Sequence, residues 1–219
     1  MYKYLFFDLD GTIVEPSKGI VNSILYALDK LEVKDVNPND LLKFIGPPLE
    51  YSFMNFLGFS EQKADEAVRL YREYYKDKGI NECHLYEGID KLIINLANKG
   101  HKIVLATSKP EPFAIRIIER FNLLPYFTCI AGATLDGKVK KKEDVIKNAL
   151  KRLNITNLNE VIMIGDRKHD IIGANINNLD SIGVLYGFGN QQEFIEHKAS
   201  YIVNTVTDLY DLIISFWLL

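Results

Sequence analysis

The chain has 219 residues, 47% hydrophobic and 25% charged, which is enough to bury a sizeable core as one large domain or as a domain with an inserted module. A net charge of −3 with lysines scattered along the chain argues against a nucleic acid polymer as partner. Two distant cysteines, Cys83 and Cys129, form no CxxC and read as buried thiols in a reducing cytoplasm, and no apolar run approaches the ~20 residues of a membrane span.

The first few apolar residues are too short for a secretory leader, so a cytoplasmic location away from membranes is expected. Tyr4 to Leu9 reads as a strand buried on both faces. Lys18 to Leu31 follows as a helix, with Ile20, Ile24, Leu28 and Leu31 at steps of three and four. "FIGPPLEYSFMNFLG" is a loop broken by Pro47 and Pro48 and then a shorter helix, and Glu61 to Lys78 is a long helix ended by Gly79.

From Gly88 the pattern alternates: helix Asp90 to Asn98, strand "KIVLAT", helix "PEPFAIRIIERF", a strand near Cys129, helix "EDVIKNALKRL", strand "VIMIG", helix "DIIGANIN" and strand "SIGVLY". Such alternation predicts an α/β fold with a parallel sheet covered by helices on both faces. The expected organisation is a core of residues 1–15 and 85–219 interrupted by a helical insert of residues 16–84. The aromatic C-terminus with Trp217 is either core or interface, and the expected assembly is a monomer or homodimer.

Ligands of open α/β sheets bind beyond the carboxyl ends of the strands. Three strands end there in oxygen-bearing residues: Asp8 and Asp10, Thr107 and Ser108, and Asp166. Asp8 and Asp10 are two residues apart in extended chain, so their carboxylates point into one volume. A divalent cation or a shared proton would relieve their repulsion, and an ionised Asp beside a protonated one is the pairing of nucleophile and acid. The alternative is a plain strand-end turn at Asp10 and Gly11.

Asp166 could complete a magnesium shell with Asp8, and Asp170 either orients a water or lysine or is simply an acid favoured near a helix N-terminus. Ser108 with Glu111 reads as a capping box that fixes a helix N-terminus, where an anion is favoured beside Thr107. Thr107, Ser108 and Lys142 are therefore the candidate phosphate-binding residues. Lys142 is chosen from a lysine run because it shares the buried stripe of Val145, Ile146, Ala149 and Leu150, whereas Lys140 and Lys141 fit that phase less well. The four histidines lack zinc spacing, and His169 reads as an exposed helix residue. There is no GxSxG elbow and no P-loop, and "GFG" is too short for a dinucleotide fingerprint.

"DLDGT", the Thr of "ATSKP", a lysine before "DVIKNAL", and "GDRKHD" resemble, in order and spacing, the four motifs of the haloacid dehalogenase-like hydrolase superfamily, over essentially the whole chain. The resemblance implies a three-layer Rossmann-like core with an inserted α-helical cap. It also implies Asp8 as a nucleophile forming an aspartyl-phosphate, with Asp10 as general acid and then base. Mg²⁺ would be held by Asp8, the Asp10 carbonyl and Asp166, and phosphate by Thr107 and Lys142, with Gly11 and Asp170 supporting.

Dehalogenating members carry another residue at the position of Asp10, so its presence implies an oxygen leaving group and a phosphate ester. "FIGPPL", "ATSKPEPFAIRIIERF" and "GVLYGFG" are similar to the phosphoglycolate phosphatase and 5′-nucleotidase-like branch, with a departure at Glu15 and Pro16, where those relatives usually carry Asp and Ser. The expected activity is a Mg²⁺-dependent phosphatase acting on a small phosphorylated metabolite; the alternatives are a sugar phosphomutase on the same scaffold or a catalytically silent binding protein. Phe44 to Leu49 with Tyr51 and Ser52 is the candidate substrate-selecting surface, or else a helix junction packed by prolines and aromatics.

Overall fold

The computed structural model describes residues 1–216, so Trp217 lies outside the described residues. Strand β1 (Tyr4–Phe7) and the two-residue β2 (Val14–Glu15) precede helices α1 (Ser17–Lys30), α2 (Leu49–Leu57) and α3 (Glu61–Tyr75). After β3 (His84–Leu85) come α4 (Ile89–Asn98), β4 (Lys102–Pro110), α5 (Glu111–Arg120), β5 (Phe127–Ala133) and α6 (Lys142–Arg152). The chain ends through β6 (Val161–Gly165), α7 (Lys168–Ile176), β7 (Asp180–Val184), α8 (Gln191–Glu196), β8 (Tyr201–Val203) and α9 (Val206–Ser215). It divides into two compact units, Met1–Glu15 with Leu85–Leu219, and Pro16–His84.

The first unit is an α/β domain on a six-stranded sheet of order β5-β4-β1-β6-β7-β8, in which all the pairings are parallel. The order reverses at β1: the chain builds outward through β4 and β5, then crosses to β6 on the other side. That is the switch point at which such sheets bind ligands. Phe7 is in register with Leu105 of β4 and Ile164 of β6, so Asp8, Thr107 and Asp166 emerge just beyond one level of the sheet. Phe6, Val104, Met163, Val145, Ile146 and Ala174 form one buried cluster between sheet and helices, so the strand ends stand on a packed base. Truncating Phe6 to alanine there would cost ~3–5 kcal/mol.

The second unit packs the apolar stripe of α1 (Ile20, Ile24, Ala27, Leu28) and that of α3 (Ala64, Ala67, Val68, Tyr71) into its own buried core. Ser60 caps α3 by accepting from the Lys63 N–H, and α3 stops at Tyr75, short of the expected Lys78. Phe44, Ile45, Ser52 and Phe53 are buried, with the Phe44 ring edge-on to Phe53 at 5.2 Å, whereas Tyr51 is exposed. Of the candidate substrate-selecting stretch, Phe44, Ile45 and Ser52 are thus core, Pro47 and Leu49 are half-buried, and Gly46, Pro48 and Tyr51 are exposed.

Strand β4 departs from expectation. It runs through Ser108 and Lys109 to Pro110, and α5 begins with no side-chain cap, so the Ser108–Glu111 capping box does not form. A residue before proline is driven to extended backbone, and Lys109 precedes Pro110. Glu111 instead accepts from the Gly132 N–H and pairs with Arg152 at 2.8 Å. His169 is half-buried rather than exposed. Among the described residues, no helix is long and apolar enough to cross a membrane.

Candidate active site

Asp8 follows β1, Asp166 follows β6, and Asp170 lies in the first turn of α7; each offers a carboxylate oxygen within 4.8 Å of the others. Lys142, the first residue of α6, reaches into this group. Its Nζ lies 2.8 Å from both Asp8 Oδ1 and Asp170 Oδ1 and donates to the Ala106 carbonyl at 3.0 Å. Its side chain is 3% exposed, against 74% for Lys141. The buried ammonium is thus paired with two carboxylates as well as bonded to a carbonyl, which is what a buried lysine requires. Asp170 Oδ2 also accepts from the Arg167 N–H at 3.0 Å, so this acid both closes the start of α7 and holds Lys142.

Asp10 is served by a different cation. Lys109 Nζ donates to Asp10 Oδ2 at 2.5 Å, and Lys109 N–H donates to Thr107 Oγ1 at 3.2 Å. Thr107 is buried at the end of β4, and Ser108 beside it is half-buried. Gly11 lies close beneath Asp166: its φ is +84°, and a Cβ there would stand 2.1 Å from Asp166 Oδ2. Phe188 N–H donates to that same oxygen at 2.9 Å. Tyr186 donates to the Thr12 carbonyl at 3.0 Å and meets Tyr86 edge-on at 5.0 Å, so two tyrosines flank this end of the sheet.

Electrostatics follow from burial and crowding. Burial raises Asp166 well above the usual carboxylate range, reinforced by the charges of Asp170 and Asp8. Burial likewise raises Asp10 and Asp170, against the pull of Lys109 and Lys142 respectively. Burial would lower Lys142, but Asp170 and Asp8 outweigh it and hold the ammonium above its ordinary value. Three carboxylates around one lysine leave negative charge to spare. Asp166 Oδ1 is buried without a hydrogen-bond partner, so the donor set fits a hard cation with oxygen ligands.

Sequence reasoning missed Lys109 and the Phe188 amide. The signal for Lys109 was present: two residues beyond Thr107 in an extended strand, it lies on the same side. A backbone amide such as that of Phe188 carries no side-chain signal.

The haloacid dehalogenase-like hydrolase profile matches residues 5–184, and the chain belongs to that family. It is 40% identical over 200 residues to a 5′-nucleotidase of Pseudomonas aeruginosa, covering 91% of this chain and 90% of that protein. It is 34% identical to tyrosine-protein kinase PtkA of Mycobacterium tuberculosis, covering 94% of this chain and 69% of the kinase. The crystal structure of a predicted phosphatase from Clostridium acetobutylicum superposes with a TM-score of 0.93 at 46% identity, over 98% of this chain and 99% of the other. Within the family, the chain is a phosphatase-type hydrolase.

Proposed function

We propose that the protein is a Mg²⁺-dependent phosphatase that hydrolyses small phosphomonoesters through an aspartyl-phosphate on Asp8. The observation that carries this is the division of cations between the two neighbouring acids, Asp8 with Lys142 and Asp10 with Lys109. Each acid is held by its own lysine, so one can attack phosphorus while the other, held separately, handles protons.

In the first half-reaction an Asp8 oxygen bonds to phosphorus as the ester oxygen leaves, and Asp10 gives that oxygen its proton. In the second, Asp10 takes a proton from water as the water oxygen attacks phosphorus, and the Asp8–phosphorus bond breaks to free phosphate. Thr107, with Ser108 beside it, and Lys142 hold the phosphoryl oxygens through hydroxyl and ammonium donors. Mg²⁺ would be held by Asp8, Asp166 and the Asp10 carbonyl and would neutralise charge on the phosphoryl group. Asp170 has one oxygen on Lys142 and the other on the Arg167 N–H, so it supports rather than ligates. Residues 1–15 and 85–219 are proposed as the catalytic core, and residues 16–84 as the helical cap that selects substrate.

The test is phosphate release from phosphoglycolate, nucleoside 5′-monophosphates and sugar phosphates, with Mg²⁺ and with chelator. Metal-dependent release is expected, and the ranking of esters identifies the substrate class. Transfer to an alcohol acceptor without free phosphate would point to a mutase or kinase, and no reaction with any ester would leave a binding protein.

A further inference from the structure

We propose that Lys109 is a positioning residue that fixes the Asp10 carboxyl for delivery of a proton to the leaving oxygen; this rests on the assignment of Asp10 as general acid. Lys109 is 9% exposed and, like Thr107, belongs to the end of β4. The register between β4 and β5 shifts between Thr107 and Pro110, so the strand is irregular where Lys109 leaves it. Backbone and side chain are both anchored, the N–H on Thr107 Oγ1 and the Nζ on Asp10 Oδ2. Holding one carboxyl oxygen in this way sets the plane and direction of the other. Asp10 Oδ1 is buried and has no hydrogen-bond partner among the described residues. An anchored oxygen beside an unengaged one is the arrangement a proton donor needs, because proton transfer demands placement within hydrogen-bond reach of the leaving atom. Asp8 needs no help from Lys109, since Lys142 already serves it. Lys109 should therefore matter to departure of the leaving group and little to attack.

The chemistry supplies a readout that a purely structural lysine would not move. An alkyl alcohol leaves poorly without a proton, whereas p-nitrophenolate leaves without one. kcat and KM are measured for the wild type, Lys109→Met, Asp10→Asn and the double variant, on p-nitrophenyl phosphate and on the alkyl monoester the wild type turns over fastest. Lys109→Met is expected to lower kcat on the alkyl ester by ~30-fold or more, a part of the ~10²–10⁴-fold that general acids supply, and on the aryl ester by under ~3-fold, with KM nearly unchanged. In the Asp10→Asn background the same change should add less than ~3-fold, because the two residues act as one unit. Lys109→Arg should recover part of the loss. If Lys109→Met does not fold, Lys109→Leu, which likewise lacks a donor for Asp10, carries the same comparison. Equal loss on both esters, or an undiminished effect in the Asp10→Asn background, would overturn the role of Lys109. Failure of Asp10→Asn to distinguish the esters would instead overturn the general-acid assignment.

Discussion

Lys142 Nζ stands 2.8 Å from Asp8 Oδ1 and equally close to Asp170 Oδ1, and it donates to the Ala106 carbonyl. This ammonium ties Asp8, beyond β1, and Asp170, in α7, to the start of α6. Lys142→Met strands carboxylates in the interior and is expected to cost ~3–5 kcal/mol in urea unfolding while ending phosphate release. Lys141→Ala, on an exposed neighbour, should stay within ~0.5 kcal/mol of wild type. Equal stability of the two variants would contradict the pairing.

Asp8→Asn separates chemistry from folding. An amide cannot attack phosphorus, so turnover should fall by ~10⁴-fold or more. Lys142 keeps Asp170 and the Ala106 carbonyl, so the melting temperature should hold. Normal phosphate release by this variant would remove Asp8 as nucleophile.

The legible parts of the molecule are those in which chemistry rides on a repeating backbone. Asp8 and Asp166 each follow an apolar strand, Thr107 closes the apolar part of β4, and Lys142 announces itself by helical phase with Val145 and Ile146. Lys109 was hidden because Ser108 and Glu111 mimic a helix cap, although Pro110 forces extended backbone there and carries β4 onward. β8 is only three residues long, too short for periodicity to register. The start of α9 was readable, since Thr205 and Asp208 form a reciprocal capping box. In the second unit, composition could not separate Phe44 and Ser52, which are buried, from Tyr51, which is exposed, because prolines and aromatics serve packing and binding alike.

Gly11→Ala tests how the loop after β1 shapes the proposed metal site. The added Cβ would meet Asp166 Oδ2 at 2.1 Å in a backbone region unfavourable to side chains, so Asp166 must move. Calorimetric titration should show Mg²⁺ affinity reduced by ~10–100-fold, as when a supporting partner of a metal ligand is lost. Gly58→Ala is the control: its φ is +68°, but no atom lies within 4 Å of the new Cβ. That variant should lose ~1–2 kcal/mol of stability with Mg²⁺ affinity unchanged. Equal affinity in the two variants would dissociate Gly11 from the site.

His101 makes stability depend on pH at a distance from the strand-end acids. It is 5% exposed, and its Nδ1 lies 2.9 Å from the Tyr2 carbonyl, where the neutral ring donates its proton. Burial holds the imidazole below the usual histidine value. The unfolded chain therefore takes up a proton on falling through about pH 6.5 that the folded protein still refuses, and stability drops with acidification. Above that pH the contribution is fully present; below it the loss from this one group approaches ~1.4 kcal/mol per pH unit until the folded imidazole itself titrates. His101→Asn keeps a donor for the Tyr2 carbonyl and removes the titration. Urea midpoints measured between about pH 7.5 and 5.5 should fall more steeply for the wild type than for this variant. Parallel curves would mean that His101 is protonated equally in the folded and unfolded chains.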